Sequence, residues 1–151
     1  MTRWLLMILW LVAAPVFADL NSGMDAFRRN DFPTALKELQ PLAEQGEPKA
    51  QHLVGMMLFH GKGVAKNIDL ALQWWKKAAE QGFAGSQVIL GALYFEGTEI
   101  GRNIPEAEKW YLKAAGQGVT EAQFNLGVMY EGGQGVRLDY GESVKWFLKA
   151  A

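Results

Sequence analysis

Apolar residues recur at helical spacing along most of the chain, in stretches that alternate with glycine-containing segments. In one such unit, residues 48–59 and 70–80 each place apolar side chains three and four positions apart. The segment between them carries Gly61 and Gly63, and glycine interrupts helices. The pattern therefore predicts two helices joined by a loop, that is, a helical hairpin.

The hairpin pattern repeats with a fixed period. A glycine recurs every 36 residues, at Gly55, Gly91 and Gly127. Three copies are predicted, over residues 47–82, 83–118 and 119–151. Residues 19–46 align more loosely and predict a divergent helical pair, with helices at about 22–29 and 33–45, that caps the N-terminal end. Repeats of this length stack into a solenoid, because one unit cannot bury its apolar face alone.

Local signals mark the helix ends. A residue able to cap a helix precedes each second helix, at Asn67, Asn103 and Asp139. Glu106 and Glu142 follow three residues after the last two, a spacing that predicts capping boxes. The first helices are predicted to end in left-handed glycines, at Gly61, Gly97 and Gly133, with Gly63 and Gly135 in the same conformation.

Aromatic and small residues predict how the hairpin packs. One tryptophan per copy recurs on the second helix, at Trp74, Trp110 and Trp146. An indole in a fixed register is expected to be a core residue rather than a platform for a ligand. On the first helix, Gly55 is expected to let a neighbouring helix approach closely, since glycine otherwise weakens a helix.

The copies follow one series, AQ, LG, a Tyr or equivalent, G-x-G-V, an Asn or Asp, an Ala, a Trp and KAAEQG, from which the second copy departs with Glu99 in place of the second loop glycine. This series resembles the Sel1-like repeat family, which is related to the tetratricopeptide repeats, and the resemblance covers residues 24–151. It implies an all-α fold, a right-handed α-solenoid of stacked helical hairpins with about three and a half repeats. It also implies a non-catalytic scaffold for protein–protein contacts, without a cofactor.

In tetratricopeptide-like stacks the first helices line the concave face, so their residues outside the core stripe are candidates for binding a protein or peptide. These residues form a second, mostly apolar stripe: His52, Met56, Phe59, Val88, Ala92, Phe95, Phe124, Val128 and Glu131. Phe59, Phe95 and Phe124 are the expected anchors. The alternative is tighter packing, in which the same side chains contact adjacent repeats and leave no groove.

The C-terminal helix offers a second candidate surface. Val144, Trp146 and Phe147 are apolar residues on a helix that no further helix of this sequence covers. A solenoid needs a polar cap at its ends. Either the sequence is cut short, or this apolar end pairs with a partner or with another copy, and two such ends around a twofold axis would form a homodimer.

The first residues predict an export signal. Residues 1–18 combine a basic start, an apolar run below the ~20 residues that span a bilayer, and small residues before a cleavage point after Ala18. The expected location is the periplasm, without membrane insertion after cleavage. The sequence has no cysteine, which excludes disulfides and a lipid-modified cysteine. A net charge of −1 gives no reason to expect binding to nucleic acid.

No catalytic or metal constellation is apparent. His52 and His60 are eight positions apart on one helix, too far to share a metal ion. Neither Ser86 nor Ser143 lies in a nucleophile motif, and no nucleophile is expected beside a base. Some cysteine-rich members of the Sel1-like family are described as penicillin-binding or β-lactamase-like. A peptidoglycan- or β-lactam-directed hydrolase is therefore the alternative function, with a structural homo-oligomer as a third.

Overall fold

The protein, seen here in a computed structural model that describes residues 18–133 and 136–151, is built from helices. In those ranges there are eight helices and no strand. They are α1 (Leu20–Arg28), α2 (Phe32–Glu44), α3 (Pro48–His60), α4 (Ile68–Glu80), α5 (Ala84–Glu96), α6 (Ile104–Gly116), α7 (Thr120–Gly132) and α8 (Tyr140–Ala150). Consecutive helices pack against each other, most closely within the pairs α1–α2, α3–α4, α5–α6 and α7–α8. The chain is thus an all-α solenoid of four helical hairpins. The predicted signal sequence lies almost wholly outside the described residues.

The polar caps of the second helices are confirmed. The side chains of Asn67, Asn103 and Asp139 accept hydrogen bonds from backbone amides three residues later, at 3.0, 3.2 and 3.0 Å. These caps start α4 at Ile68, two residues earlier than its apolar pattern indicated. Similarly, Asp19 accepts bonds from two backbone amides and starts α1 at Leu20 instead of Ser22.

The predicted capping boxes are wrong. The backbone amide of Asn103, which Glu106 was expected to bind, donates instead to the carbonyl of Tyr94 on α5 at 2.8 Å. The Glu106 carboxylate accepts from the Lys109 ammonium at 3.0 Å. The amide of Asp139 likewise donates to the carbonyl of Tyr130 at 3.1 Å. The backbone amide of each cap residue therefore links the start of the second helix to the end of the first by a hydrogen bond.

The left-handed glycines that end the first helices are also confirmed, with φ angles of 67°, 71° and 56° at Gly61, Gly97 and Gly133. Gly63 follows the prediction with a φ of 70°, while Gly135 lies outside the described residues. Most side chains are strained in this region of φ, so glycine is favoured where each first helix turns into its loop.

In the hairpins α3–α4, α5–α6 and α7–α8, a glycine of the first helix contacts an aromatic ring of the second. A Cβ atom built on Gly55, Gly91 or Gly127 would lie 2.6 Å from the ring of Trp75, Tyr111 or Phe147, respectively. The prediction of close approach at Gly55 is confirmed. The prediction that one tryptophan per copy lies in the core is confirmed for Trp110, whereas Trp74 and Trp146 are half-buried at the edge of the core clusters. The ring against the glycine belongs to the residue after each tryptophan.

A buried glutamine joins each hairpin to the preceding one. Its side-chain amide donates to a carbonyl near the end of the preceding second helix, in the pairs Gln51–Ala43, Gln87–Ala79 and Gln123–Ala115 at 3.1, 3.0 and 3.2 Å. The oxygens of Gln51 and Gln87 then accept from Gln81 and Gln117, at 2.9 and 2.8 Å. Each of these helix-end carbonyls also accepts a bond from a backbone amide of its own turn, at Gly46, Gly82 and Gly118, so the glutamine adds a second partner that comes from the next hairpin.

Candidate functional site

We call the nine predicted partner-binding residues on α3, α5 and α7 the first-helix face, and the structure uses some of them for packing. Val88 is only 8% exposed and packs in the core cluster that contains Tyr111. The half-buried Phe59 ring lies 5.3 Å from the Trp75 ring. The expectation that this stripe is separate from the core is therefore wrong for Val88, because its side chain is buried within that cluster.

The exposed part of the first-helix face lies on α7. Phe124 is 54% exposed and its ring packs against that of Phe147 at 5.5 Å. Val128 is half-buried and Glu131 is exposed on the same helix. On α3 and α5 the half-buried members are His52, Met56, Phe59, Ala92 and Phe95. The face thus presents one prominent aromatic residue beside a shallower apolar strip.

Cations from the hairpin loops lie over two of the phenyl rings. The Lys66 ammonium is 5.7 Å from the centre of the Phe59 ring, and the Arg102 guanidinium is 5.6 Å from that of Phe95. Lys66 also forms a 3.8 Å ion pair with Glu99 of the next loop. Since a cation over a ring is attracted to its π-face, these loops hold positive charge at the edge of the first-helix face.

A serine lies beside a histidine, which contradicts the expectation of no nucleophile next to a base. The Nδ1 atom of His52 on α3 and the hydroxyl of Ser86 on α5 are 2.9 Å apart. Burial lowers the pKa of His52 to about 4, so its imidazole is neutral at neutral pH. Ser86, however, is fully buried and cannot reach a substrate. The pair therefore links two hairpins, and at the next junction its positions are taken by Val88 and Ala122.

The predicted surface on α8 has a different composition in the structure. Val144 is 55% exposed, as expected, whereas Trp146 and Phe147 are half-buried against the preceding helices. The exposed partners of Val144 are instead Tyr140 and Leu148, the latter 73% exposed. Residues four apart on a helix share a face, whereas Trp146 is two positions, about 200°, from Val144. Phe147 is half-buried because its ring packs against Gly127 on α7.

Chemical sites are not evident among the described residues. Within 18–133 and 136–151, no three His, Asp or Glu side chains are grouped so as to hold a metal ion. None of the helices in these ranges has the length and apolar character needed to cross a lipid bilayer. His60, the second histidine, is exposed and packs against Phe59 with ring centres 5.1 Å apart.

The repeats match a known family model. The Sel1 repeat model matches residues 48–83, 84–119 and 120–151, so each copy starts one residue later than the sequence pattern indicated. The chain matches none of the proteins with curated descriptions.

Two solved structures are similar to this chain. One is a Sel1 repeat protein from Oxalobacter formigenes, 38% identical with a TM-score of 0.82 over 88% of this chain and 55% of its own. The other is a protective antigen present in uropathogenic Escherichia coli strains that displays an SLR fold. It is 43% identical with a TM-score of 0.73 over 76% of this chain and 25% of its own. The chain therefore spans about half of the first relative and a quarter of the second.

Proposed function

The chain belongs to the Sel1 repeat family, and on that premise we propose that it is a non-catalytic scaffold in the periplasm that binds a protein or peptide on its first-helix face. Proteins of this family are generally scaffolds for protein interaction. The specific face, the partner class and the location are the parts that we propose.

The exposed Phe124 is the observation that carries this proposal. Phe124 is 54% exposed, and aromatic side chains of this kind anchor many protein interfaces. Its ring rests on Phe147, so its orientation is held by packing before any partner arrives. Preorganised anchors lose little side-chain entropy on binding. The half-buried residues of α3 and α5 extend the apolar contact from Phe124 along the stack.

The test compares two exposed apolar residues on different helices. Phe124→Glu removes the proposed anchor, and Leu112→Glu makes the same change on α6 at a residue that is 39% exposed and outside the first-helix face. Both variants are checked for unchanged helicity and melting, and proteins bound from an envelope extract are compared with those bound by wild type. We expect binding to be lost in Phe124→Glu alone. A partner that both variants retain would refute the first-helix face as the binding site.

The contacts of Asp19 support the proposed cleavage after Ala18. Its backbone nitrogen lies 3.2 Å from a carboxylate oxygen of Glu38 on α2, and its side chain caps α1. If cleavage makes Asp19 the first residue, this nitrogen becomes a charged ammonium, and the contact with Glu38 becomes an ion pair. The mass of the protein recovered from the periplasm tests this: it should correspond to residues 19–151. A full-length mass, or recovery only from the cytoplasm, would refute it.

Self-association through α8 is a second candidate, favoured by the exposed Tyr140, Val144 and Leu148. The corresponding positions on α6 are Ile104, Glu108 and Leu112, and of these Glu108 faces α7, where Tyr130 donates to its carboxylate at 2.5 Å. The α8 face thus has the register of a helix-packing surface. Light scattering over a range of concentrations should show a dimer that Val144→Glu with Leu148→Glu converts to a monomer. A wild-type monomer at every concentration would exclude this candidate.

The hydrolase alternative has less support. The structure brings together only one serine–histidine pair among its described residues, and the serine of that pair, Ser86, is fully buried. An activity against peptidoglycan or β-lactams stays a prediction from family resemblance alone.

A further inference from the structure

An apolar cavity lies between α2, α3 and α4, away from the first-helix face. Its volume is about 190 Å³, and it is lined by Leu36, Gln40, Val54, Leu58, Val64, Leu70 and Trp74. Val54 and Leu58 form a buried floor, whereas Gln40 at the edge is exposed to solvent. Apolar cavities of about 150 Å³ are large enough to bind benzene. The cavity therefore has the size and the chemistry to hold one aromatic ring.

The cavity exists because the first repeat has smaller side chains than the second. Three lining residues are larger in the next copy, in the pairs Val54–Leu90, Leu58–Tyr94 and Val64–Ile100. The indole at the corresponding position is also better covered there, since Trp110 is 3% exposed and Trp74 is half-buried. The first copy thus lacks a ring that the second supplies from its own chain.

Contacts of the tyrosines in the second and third copies show where the ring that the first copy lacks would lie. The Lys76 ammonium is 5.9 Å from the centre of the Tyr94 ring, and Lys76 occupies the register of Gln40. In the third copy the Tyr130 hydroxyl donates to Glu108, which occupies the register of Leu36. In both copies the tyrosine therefore contacts the preceding second helix at positions whose counterparts in the first copy line the cavity.

A shallow depression continues from the cavity along α2. It has a volume of about 380 Å³ and shares Leu36 and Gln40 with the cavity, and its other lining residues are Pro33, Lys37, Pro41 and Glu44. A chain whose side chain enters the cavity would therefore find space for its neighbouring residues beside it. This arrangement suits a side chain of a peptide better than a free molecule.

We propose that this cavity binds the ring of a tyrosine or phenylalanine side chain from a partner peptide, in the place that Tyr94 and Tyr130 fill in the later repeats. The site is separate from the first-helix face, so its test does not depend on the outcome for Phe124.

The experiment uses p-cresol and the peptide Ser-Gly-Tyr-Gly-Ser as probes, with the melting temperature as the readout. At ten times its dissociation constant, a ligand of the folded state should raise the melting temperature of wild type by roughly 4 °C. Leu58→Tyr should abolish the shift with both probes, because it places in the cavity the ring that the later copies carry. Tyr94→Leu is the converse variant and should create a second site of the same kind.

The outcomes separate the alternatives. Stabilisation of wild type by both probes, lost in Leu58→Tyr, supports the proposal. Stabilisation by p-cresol alone would overturn the assignment to a peptide side chain, because only free small aromatics would then fit. No stabilisation by either probe, or an equal shift in wild type and Leu58→Tyr, would overturn the site itself. If Leu58→Tyr does not fold, Leu58→Phe replaces it, and the same comparison applies.

Discussion

Replacing Gly91 by alanine tests whether contact between glycine and an aromatic ring sets how closely the two helices of a repeat hairpin approach. The added Cβ would lie 2.6 and 2.7 Å from two carbon atoms of the Tyr111 ring. Carbon atoms in favourable contact are about 3.5–4.0 Å apart, so α5 and α6 must separate or the ring must shift by about 1 Å. Tyr111 is 2% exposed and cannot turn into solvent.

The magnitude follows from two opposing effects. Overpacking of a well-packed core costs up to about 3 kcal/mol. Alanine in place of glycine inside a helix gains about 1 kcal/mol from its higher helix propensity. The free energy of unfolding should therefore fall by about 2 kcal/mol in Gly91→Ala.

Gly116→Ala is the matched control, because Gly116 is also helical but has no atom within 4 Å of its built Cβ. It should raise the free energy of unfolding by up to about 1 kcal/mol. Urea denaturation followed by circular dichroism at two wavelengths measures both variants. If Gly91→Ala is as stable as Gly116→Ala, the glycine–ring contact does not limit the approach of the helices, and the packing argument is wrong.

Three further predictions concern the polar contacts. Because the folded-state pKa of His52 is lowered from 6.5 to about 4, the unfolded state takes up a proton first as the pH falls. Wild type should therefore lose stability between about pH 6.5 and pH 4, by up to roughly 3 kcal/mol, and His52→Val should lose less in a pH series of urea melts. Gln87→Leu leaves the Ala79 carbonyl and the Gln117 amide without their shared partner, and should cost about 1–3 kcal/mol by thermal melting. Asn103→Ala removes a helix cap and should cost about 1 kcal/mol, whereas Asn103→Asp should retain most of the stability.

The repeats, the helix caps and the left-handed glycines could be predicted from the sequence because each depends on residues close together in the chain. Which of Trp74 and Trp75 covers Gly55 could not be predicted from the sequence. Neighbouring residues on a helix differ by about 100° in direction, so either can face the first helix until the packing angle is known. The apolar pattern alone does not determine that angle.

The candidate sites were predictable in part. The exposed Phe124 lies on the predicted stripe, but the contact of His52 with Ser86 joins residues 34 positions apart and depends on how two hairpins are offset. A signal for the aromatic cavity is present in the sequence: the second and third copies have tyrosine where the first has Leu58. Only the structure shows that this difference leaves a space with a solvent-facing edge.

The glutamine bonds between hairpins have a consequence for how such a chain can evolve. Because the same donor and the same kind of helix-end carbonyl meet at three junctions, a duplicated hairpin could be inserted there without a new interface. The junction between the hairpins α3–α4 and α5–α6 is different, because it also contains the hydrogen bond between His52 and Ser86. Exchanging these two hairpins would leave the buried hydroxyl and the imidazole without a hydrogen-bond partner, and each unpaired group would lower the stability. Gene duplication can therefore lengthen the array, while this single polar pair preserves the order of its first two full repeats.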